Sequence, residues 1–576
     1  ATNGDIRLEA TPGQWQPVPK QLDRKLGDNS ITATLCYPDS SRHLTGFNPM
    51  IYPDLHLIYT VNVESKGKNI EVTVDLDRPI PQEFIGKVGF NLEFFPGSLF
   101  GKPWIMDGQS GIFPQQPNSP LMTTQPNYLH TGNYHDGKQS LADMDKLIGK
   151  GYSPIVADDI ISEPYAKGRK FTSRPDDPYN KVTIESLSGD LQLFDGRMNH
   201  NNGWFVLRSN IKPGVTKGAV KWIITPNVVA DWMYQPVIQT SQIGYHPAQD
   251  KEAVIEMDIR DNRKETAQII RIDADGEKVV KNVTPANWGK FLRYNYLKVD
   301  FTDVKEPGLY KIKYDTSVSP IFRIDNDVYA RGVWQPVLEY FLPVQMCHMR
   351  VNEKYRVWHD CCHMDDAQMA PAHNHIDGYD QKEGLSKFKP GEVVPGVNIG
   401  GWHDAGDFDL RIESQAGESY ILALAYEAFH PNLDVTSIDQ INRVTEIHQP
   451  DGKNDLLQQV ENGALTVVNG YLALGRLYRG IICNDLRQYV LLGDAAAMTD
   501  GKIGNEDDRW IFTEDNPGRE LSTAAQLAAV SRVLKGFNDT LSVHCLDIAR
   551  KVYASTGSGN NRALFPKVQA AVELYL

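Results

Sequence analysis

The sequence predicts a multidomain protein, β first and α afterwards. Three observations carry this. The chain has 576 residues at 41% hydrophobic content, too long for one core. Short alternating apolar runs bounded by Pro, Gly, Asn and Asp extend to about residue 326. From NDVYARGVW onward, apolar residues recur at helical spacing.

Residues 1–235 read as an all-β domain of unassigned role, with strands such as HLIYTVNVE and GWFVLRSNI. Within it, the segment from Phe94 to Pro120 is rich in Pro, Gly and aromatics. Loops of that length are often functional, so Trp104 is a candidate platform for stacking on a ligand, and a plain packing arm is the alternative. Residues 236–326 tighten to strands EAVIEMDIR, AQIIRIDA and GLYKIKY, for which an immunoglobulin-like β-sandwich is the economical reading. Residues 327–576 form the helical domain. Its helices are expected at Tyr329 to Met346, Glu413 to Phe429, Asp455 to Tyr478, Ser522 to Leu534, Thr540 to Tyr553 and Leu564 to Leu576.

Composition narrows the function. A net charge of -14 without a dense Lys/Arg block argues against nucleic acid and anionic membranes as partners, and favours a neutral or cationic ligand. No run approaches the apolar length of a membrane span, and the chain opens at ATNGDIRLEA without an export-signal pattern. The six cysteines are lopsided: Cys347, Cys361 and Cys362 cluster, whereas Cys36, Cys483 and Cys545 stand alone. With His nearby, that distribution suits metal ligation better than a disulfide framework.

The densest chemistry lies in GGWHDAGDFD, Gly400 to Asp409. Asp404 and Asp407 are separated by only Ala and Gly, so the backbone can turn sharply and both carboxylates can face one pocket. Such a pair can activate water, one carboxylate taking the proton while the other holds the molecule in line. A self-satisfied Asp-rich turn is the plain alternative, and an EF-hand calcium loop fits the spacing badly. Trp402 could stack on a ligand ring, although packing beneath the loop is the commoner outcome for such a Trp.

The decapeptide closely resembles the GGW-x-DAGD signature of glycoside hydrolase family 9, the inverting cellulases and their relatives, in the subgroup with an immunoglobulin-like domain. CHMDDA, NDLLQQVENG and STAAQLAAVSRV resemble the same family, over roughly residues 236–576. The resemblance implies an (α/α)6-barrel catalytic domain, of which the six expected helices are the first half. It implies Asp407 as general base with Asp404 positioning the water, and a Glu general acid on a late segment that has no counterpart here. Glu573 falls in what reads as a packing helix. A second polypeptide completing the barrel is one expectation that follows.

The resemblance further implies a structural zinc held by Cys347, Cys362, His363 and His403, with His359, Cys361, His373 and His375 as rivals from the same region. Asp365 and Asp366 offer calcium as an alternative to capping a turn. The implied activity is inverting hydrolysis of a β-1,4-linked glucan such as cellulose-like, xyloglucan or mixed-linkage glucan, in a secreted, cell-surface or periplasmic setting. Exo-acting glycosidase or glucosaminidase action, and an inactive glycan-binding scaffold, are the alternatives.

Overall fold

The computed structural model describes residues 3–9, 12, 18–41, 54–119, 121–122, 161–198, 203–374, 379–382, 384–404, 408–483, 501–503, 508–557 and 561–576. In the N-terminal region, alternation builds two large antiparallel sheets, beside a short pairing of Leu121–Met122 with Ile161–Ser162. One has five strands, in the order Asn3–Leu8, Val88–Phe94, Phe205–Asn210, Leu191–Asp195, Ala166–Gly168. The other has nine, running from Lys20–Leu26 at one edge to Gln109–Ile112 at the other. In NIEVTVDL (Asn69–Leu76), every second residue from Val72 is buried, and Val72, Val74, Ile184 and Trp222 of this sheet share one core with Ile6, Phe90 and Leu207 of the other. Trp104 belongs to that core. It is 5% exposed and stacks on Tyr165 at 6.4 Å between ring centroids, so the expectation of a ligand-stacking platform there is corrected to a packing role.

The sandwich follows, with strands β1 (Val237–Gln239), β2 (Glu252–Asp258), β3 (Ala267–Asp273), β4 (Gly276–Val283), β5 (Ala286–Phe291), β6 (Tyr294–Asp300), β7 (Gly308–Tyr314), β8 (Ser317–Val318) and β9 (Phe322–Ile324). One sheet runs β1-β2-β6-β5, the other β4-β3-β7-β8, with β9 also on β7. Ile255, Met257, Leu297 and Val299 of the first meet Ile269, Tyr310 and Ile312 of the second in a separate core.

The last region is helical, with six α-helices among the described residues: α1 (Leu342–Gln345), α2 (Ile412–Phe429), α3 (Asp455–Leu474), α4 (Pro517–Leu534), α5 (Asp539–Ser555) and α6 (Asn561–Tyr575). Three starts have Asn caps. Asn454 accepts from the Leu456 and Leu457 amides, Asn516 from Arg519 and Asn538 from Leu541. Gly475, at φ 75°, stops α3 in the left-handed conformation. The helix expected from Tyr329 begins only at Val337, with a five-residue π-helical turn leading into α1. Upstream, Gly332 sits at φ 71°, which breaks a helical path. Ala-rich α4 packs against α2, α5 and α6. Ile421 of α2 and Phe565, Val568 and Val572 of α6 stay exposed, as expected of helices from a partial barrel.

Short strands between these helices position the site. Arg350–Glu353 pairs in parallel with Val444–Ile447. A second sheet orders Gln368–Met369, Arg509–Phe512, Gly480–Cys483 and Leu410–Arg411, bringing residue 509 beside the start of the helical region. No helix among the described residues is long and apolar enough to cross a membrane.

Candidate active site and metal centre

The GGWHD stretch is wedged against α3. Gly400 (φ 67°) presses so closely that a Cβ there would lie 2.4 Å from the Asn462 carbonyl oxygen, so only glycine allows the approach. Gly401 donates its amide to the same carbonyl at 3.0 Å. Trp402 is 2% exposed, and its Nε1 donates to Gln459 Oε1 at 2.8 Å. Gln415 of α2 accepts from the Trp402 amide and donates to its carbonyl, each at 2.8 Å. Trp402 therefore packs beneath the loop, its polar atom satisfied, and presents no ring to a sugar.

His403 donates its amide to the Gln345 carbonyl at 2.8 Å and turns its ring inward. There the structure brings together Cys347, Cys362, His363 and His403, all buried, with one ligand atom from each within 4.8 Å of the others. Cys347 Sγ lies 3.7 Å from Cys362 Sγ and 3.6 Å from His363 Nδ1, and Cys362 Sγ lies 3.4 Å from His403 Nε2. The two sulfurs are too far apart for a disulfide. Thiolates at ~2.3 Å from one tetrahedral ion stand ~3.8 Å apart, a spacing the two sulfurs match. Burial pushes His363 down to about 3 and lowers His403 as well, keeping both rings neutral as ligands must be, while burial and the hydrogen bond to Cys347 push the Cys362 thiol well up. Burial opposes ionisation of Cys347, yet the Cys362 hydrogen bond and the Arg509 guanidinium hold its thiol well below the usual range.

The rivals stand apart from this set. His359 binds the Val344 carbonyl through Nε2 at 3.1 Å, and Cys361 faces the Arg443 carbonyl at 3.7 Å. His375 and the His373 side chain lie outside the described residues. Two participants escaped sequence reasoning. Arg509 donates through Nη2 to Cys347 Sγ at 3.2 Å, pairs with Asp366 and reaches the Phe408 carbonyl. His348 binds the Gly400 carbonyl through Nδ1 at 3.0 Å. Asp365, Asp366 and Asp508 are also buried together, but Arg509 is the counterion of Asp366, and Asp365 accepts from the Gly501 amide at 2.9 Å.

On the outer side, Asp404 is exposed and ion-paired with Arg411, and its amide donates to the Asp409 carbonyl at 3.1 Å. Asp407 lies outside the described residues. Asp409 is buried and accepts from the Cys483 amide at 2.9 Å, a structural role. Glu418, on α2, is pushed up to about 7 by burial and then by the Asp404 charge beside it. Glu573 accepts from the Tyr420 hydroxyl at 2.6 Å and pairs with Arg532 at 2.8 Å, the environment of a packing residue.

Residues 233–319 match the model of the cellulase N-terminal ig-like domain, and residues 337–575 that of glycosyl hydrolase family 9. Endoglucanase D of Acetivibrio thermocellus is 19% identical over 330 residues, 57% of this chain and 46% of that protein. The chain thus spans less than half the length of this curated relative. Among solved structures, a metagenome-derived family 9 endoglucanase aligns at TM-score 0.42 and 21% identity, over 59% of this chain and 61% of that one. A family 9 protein of Bacteroides ovatus aligns at TM-score 0.40 and 19% identity, over 59% and 61%. A zinc-binding triple mutant of family 9 endoglucanase J30 aligns at 0.40 and 21%, over 57% and 59%.

Proposed function

This chain belongs to glycosyl hydrolase family 9 through residues 337–575, and on that premise we propose that it is an inverting, endoglucanase-like hydrolase of a β-1,4-linked glucan. The observation that carries the reading is the division of labour between consecutive residues: His403 turned into the buried thiol and imidazole cluster, Asp404 turned out beside Arg411. Asp407 removes a proton from water as that water attacks the anomeric carbon, and Asp404 holds the water in line. The glycosidic bond breaks on the opposite face, its oxygen taking a proton from a separate carboxylic acid ~6.5–9.5 Å from the base. Glu573 is engaged in packing and is not that acid.

Cys347, Cys362, His363 and His403 hold a structural zinc, whose chemistry there is to fix the loop; Asp365 and Asp366 serve the fold through Arg509 and Gly501. A polymeric substrate of this kind is met outside the cell, which fits an exported protein. A reducing-sugar assay on barley glucan, xyloglucan and carboxymethylcellulose tests the reading. Release of reducing ends is expected once a longer chain or a completing polypeptide supplies the acid, and so is its loss in Asp407→Ala; undiminished release in that variant overturns the base assignment, and no release by the completed wild type favours the scaffold alternative.

A further inference from the structure

The outer face of the sandwich's β1-β2-β6-β5 sheet carries aromatic residues where a solvated sheet usually carries small polar ones. On β6, Asn295, Leu297 and Val299 point inward, so Tyr294 and Tyr296 point out. A register shift between Asn287 and Gly289 of β5 inserts Trp288 next to Tyr296, with Gly289 at φ 130° to allow the bulge. Trp288 is 56% exposed and Phe291 57%. Tyr234, Tyr294, Tyr296 and Trp288 form a continuous row, with successive centroids 5.3, 6.1 and 5.6 Å apart, steps the size of one pyranose ring. The row joins two cavities, one of about 250 Å³ lined by Val254, Trp288, Phe291, Tyr296 and Lys298, the other of about 700 Å³ against Tyr179, Trp232 and Tyr234.

From this we infer that the face is a second glycan-binding site, a groove that takes a single neutral β-linked glucan chain. The choice of a β-linked glucan rests on the function proposed above, whereas the groove itself does not depend on hydrolysis by residues 337–575. Ring planes meet at 61°, 60° and 88°, so the row has floors and walls and suits one chain rather than the flat plane of a crystal. Charged groups on the face are spoken for: Lys298 pairs with Glu252 at 2.8 Å, and Arg260 with Asp258 at 2.8 Å. Glu256 accepts from the Tyr234 hydroxyl at 2.9 Å and the Tyr296 hydroxyl at 3.1 Å, and its remaining lone pairs can accept from sugar hydroxyls. Aromatic faces for the apolar faces of the rings, with hydroxyl and carboxylate groups at their rims, match a neutral sugar chain rather than an aliphatic protein surface.

Affinity electrophoresis in gels containing barley glucan, with titration calorimetry on cellohexaose, tests the site. The wild type should be retarded, Trp288→Ala and Tyr296→Ala should each bind about tenfold more weakly, and Trp288→Tyr should keep most of the binding. Unretarded wild type, or equal retardation of wild type and Trp288→Ala, overturns the proposal. So does a shift from dimer to monomer on sedimentation of Trp288→Ala, which would make the face a self-association surface.

Discussion

Arg509 donates to the sulfur of Cys347 across 3.2 Å while its own side chain is wholly out of solvent. The same guanidinium neutralises Asp366, so replacing it removes support from a thiolate and strands a buried carboxylate. Arg509→Met is expected to cost about 3–5 kcal/mol of stability and to weaken zinc binding by about 10–100-fold. Calorimetry and competition with a chelator measure the two effects. The wild type should carry one bound zinc by elemental analysis, lost together with stability in Cys362→Ser.

Glu418 holds its proton up to about pH 7 because it is partly buried beside Asp404. Above that pH it adds a second negative charge next to Asp404, the residue proposed to position water. The alkaline limb of the pH–activity profile should therefore fall near 7 in the wild type and move upward in Glu418→Gln. Identical profiles in the two proteins would remove Glu418 from the cleft's electrostatics.

Gly463 on α3 faces the ring of Trp402. A Cβ there would lie 2.3 Å from a ring carbon and 2.2 Å from Ser419 Oγ. Neither neighbour can retreat, since Trp402 is held by Gln459 and Ser419 by the Gln415 carbonyl. Gly463→Ala should destabilise by about 1–3 kcal/mol or more, read as a lowered urea midpoint, and should reduce activity through the displaced loop.

Asp455, at the start of α3, is pushed up to about 7 by burial, with Asp434 and Asp451 adding to the effect and the Val435 and Thr436 amides opposing it. Its ordinary value is near ~4. Between these values the native state keeps a proton that the unfolded chain releases. Stability is therefore full below ~4, declines as pH rises toward 7 and levels off above, by at most about 4 kcal/mol. The urea midpoint difference between wild type and Asp455→Asn, followed over that range, should trace the decline.

Much of this was legible from local pattern. The period change near residue 327 marks where sheets give way to helices, and the Cys and His clustered within residues 347–363 point to metal ligation, although the set Cys347, Cys362, His363 and His403 follows only from the family resemblance. Arg509 had no such signal, being delivered by a strand that pairs with Gln368–Met369 from far along the chain. The four-residue strands around the site, such as RVNE, are too short for a period to register. Trp104 misled because exposure of an aromatic depends on what packs over it, here Tyr165.

The three hydrophobic cores share no residue. Separate cores can unfold as separate cooperative units, so heat unfolding need not be a single transition. Damage at Gly463 or Arg509 belongs to the helical unit alone, and the sandwich with its aromatic row can outlast it.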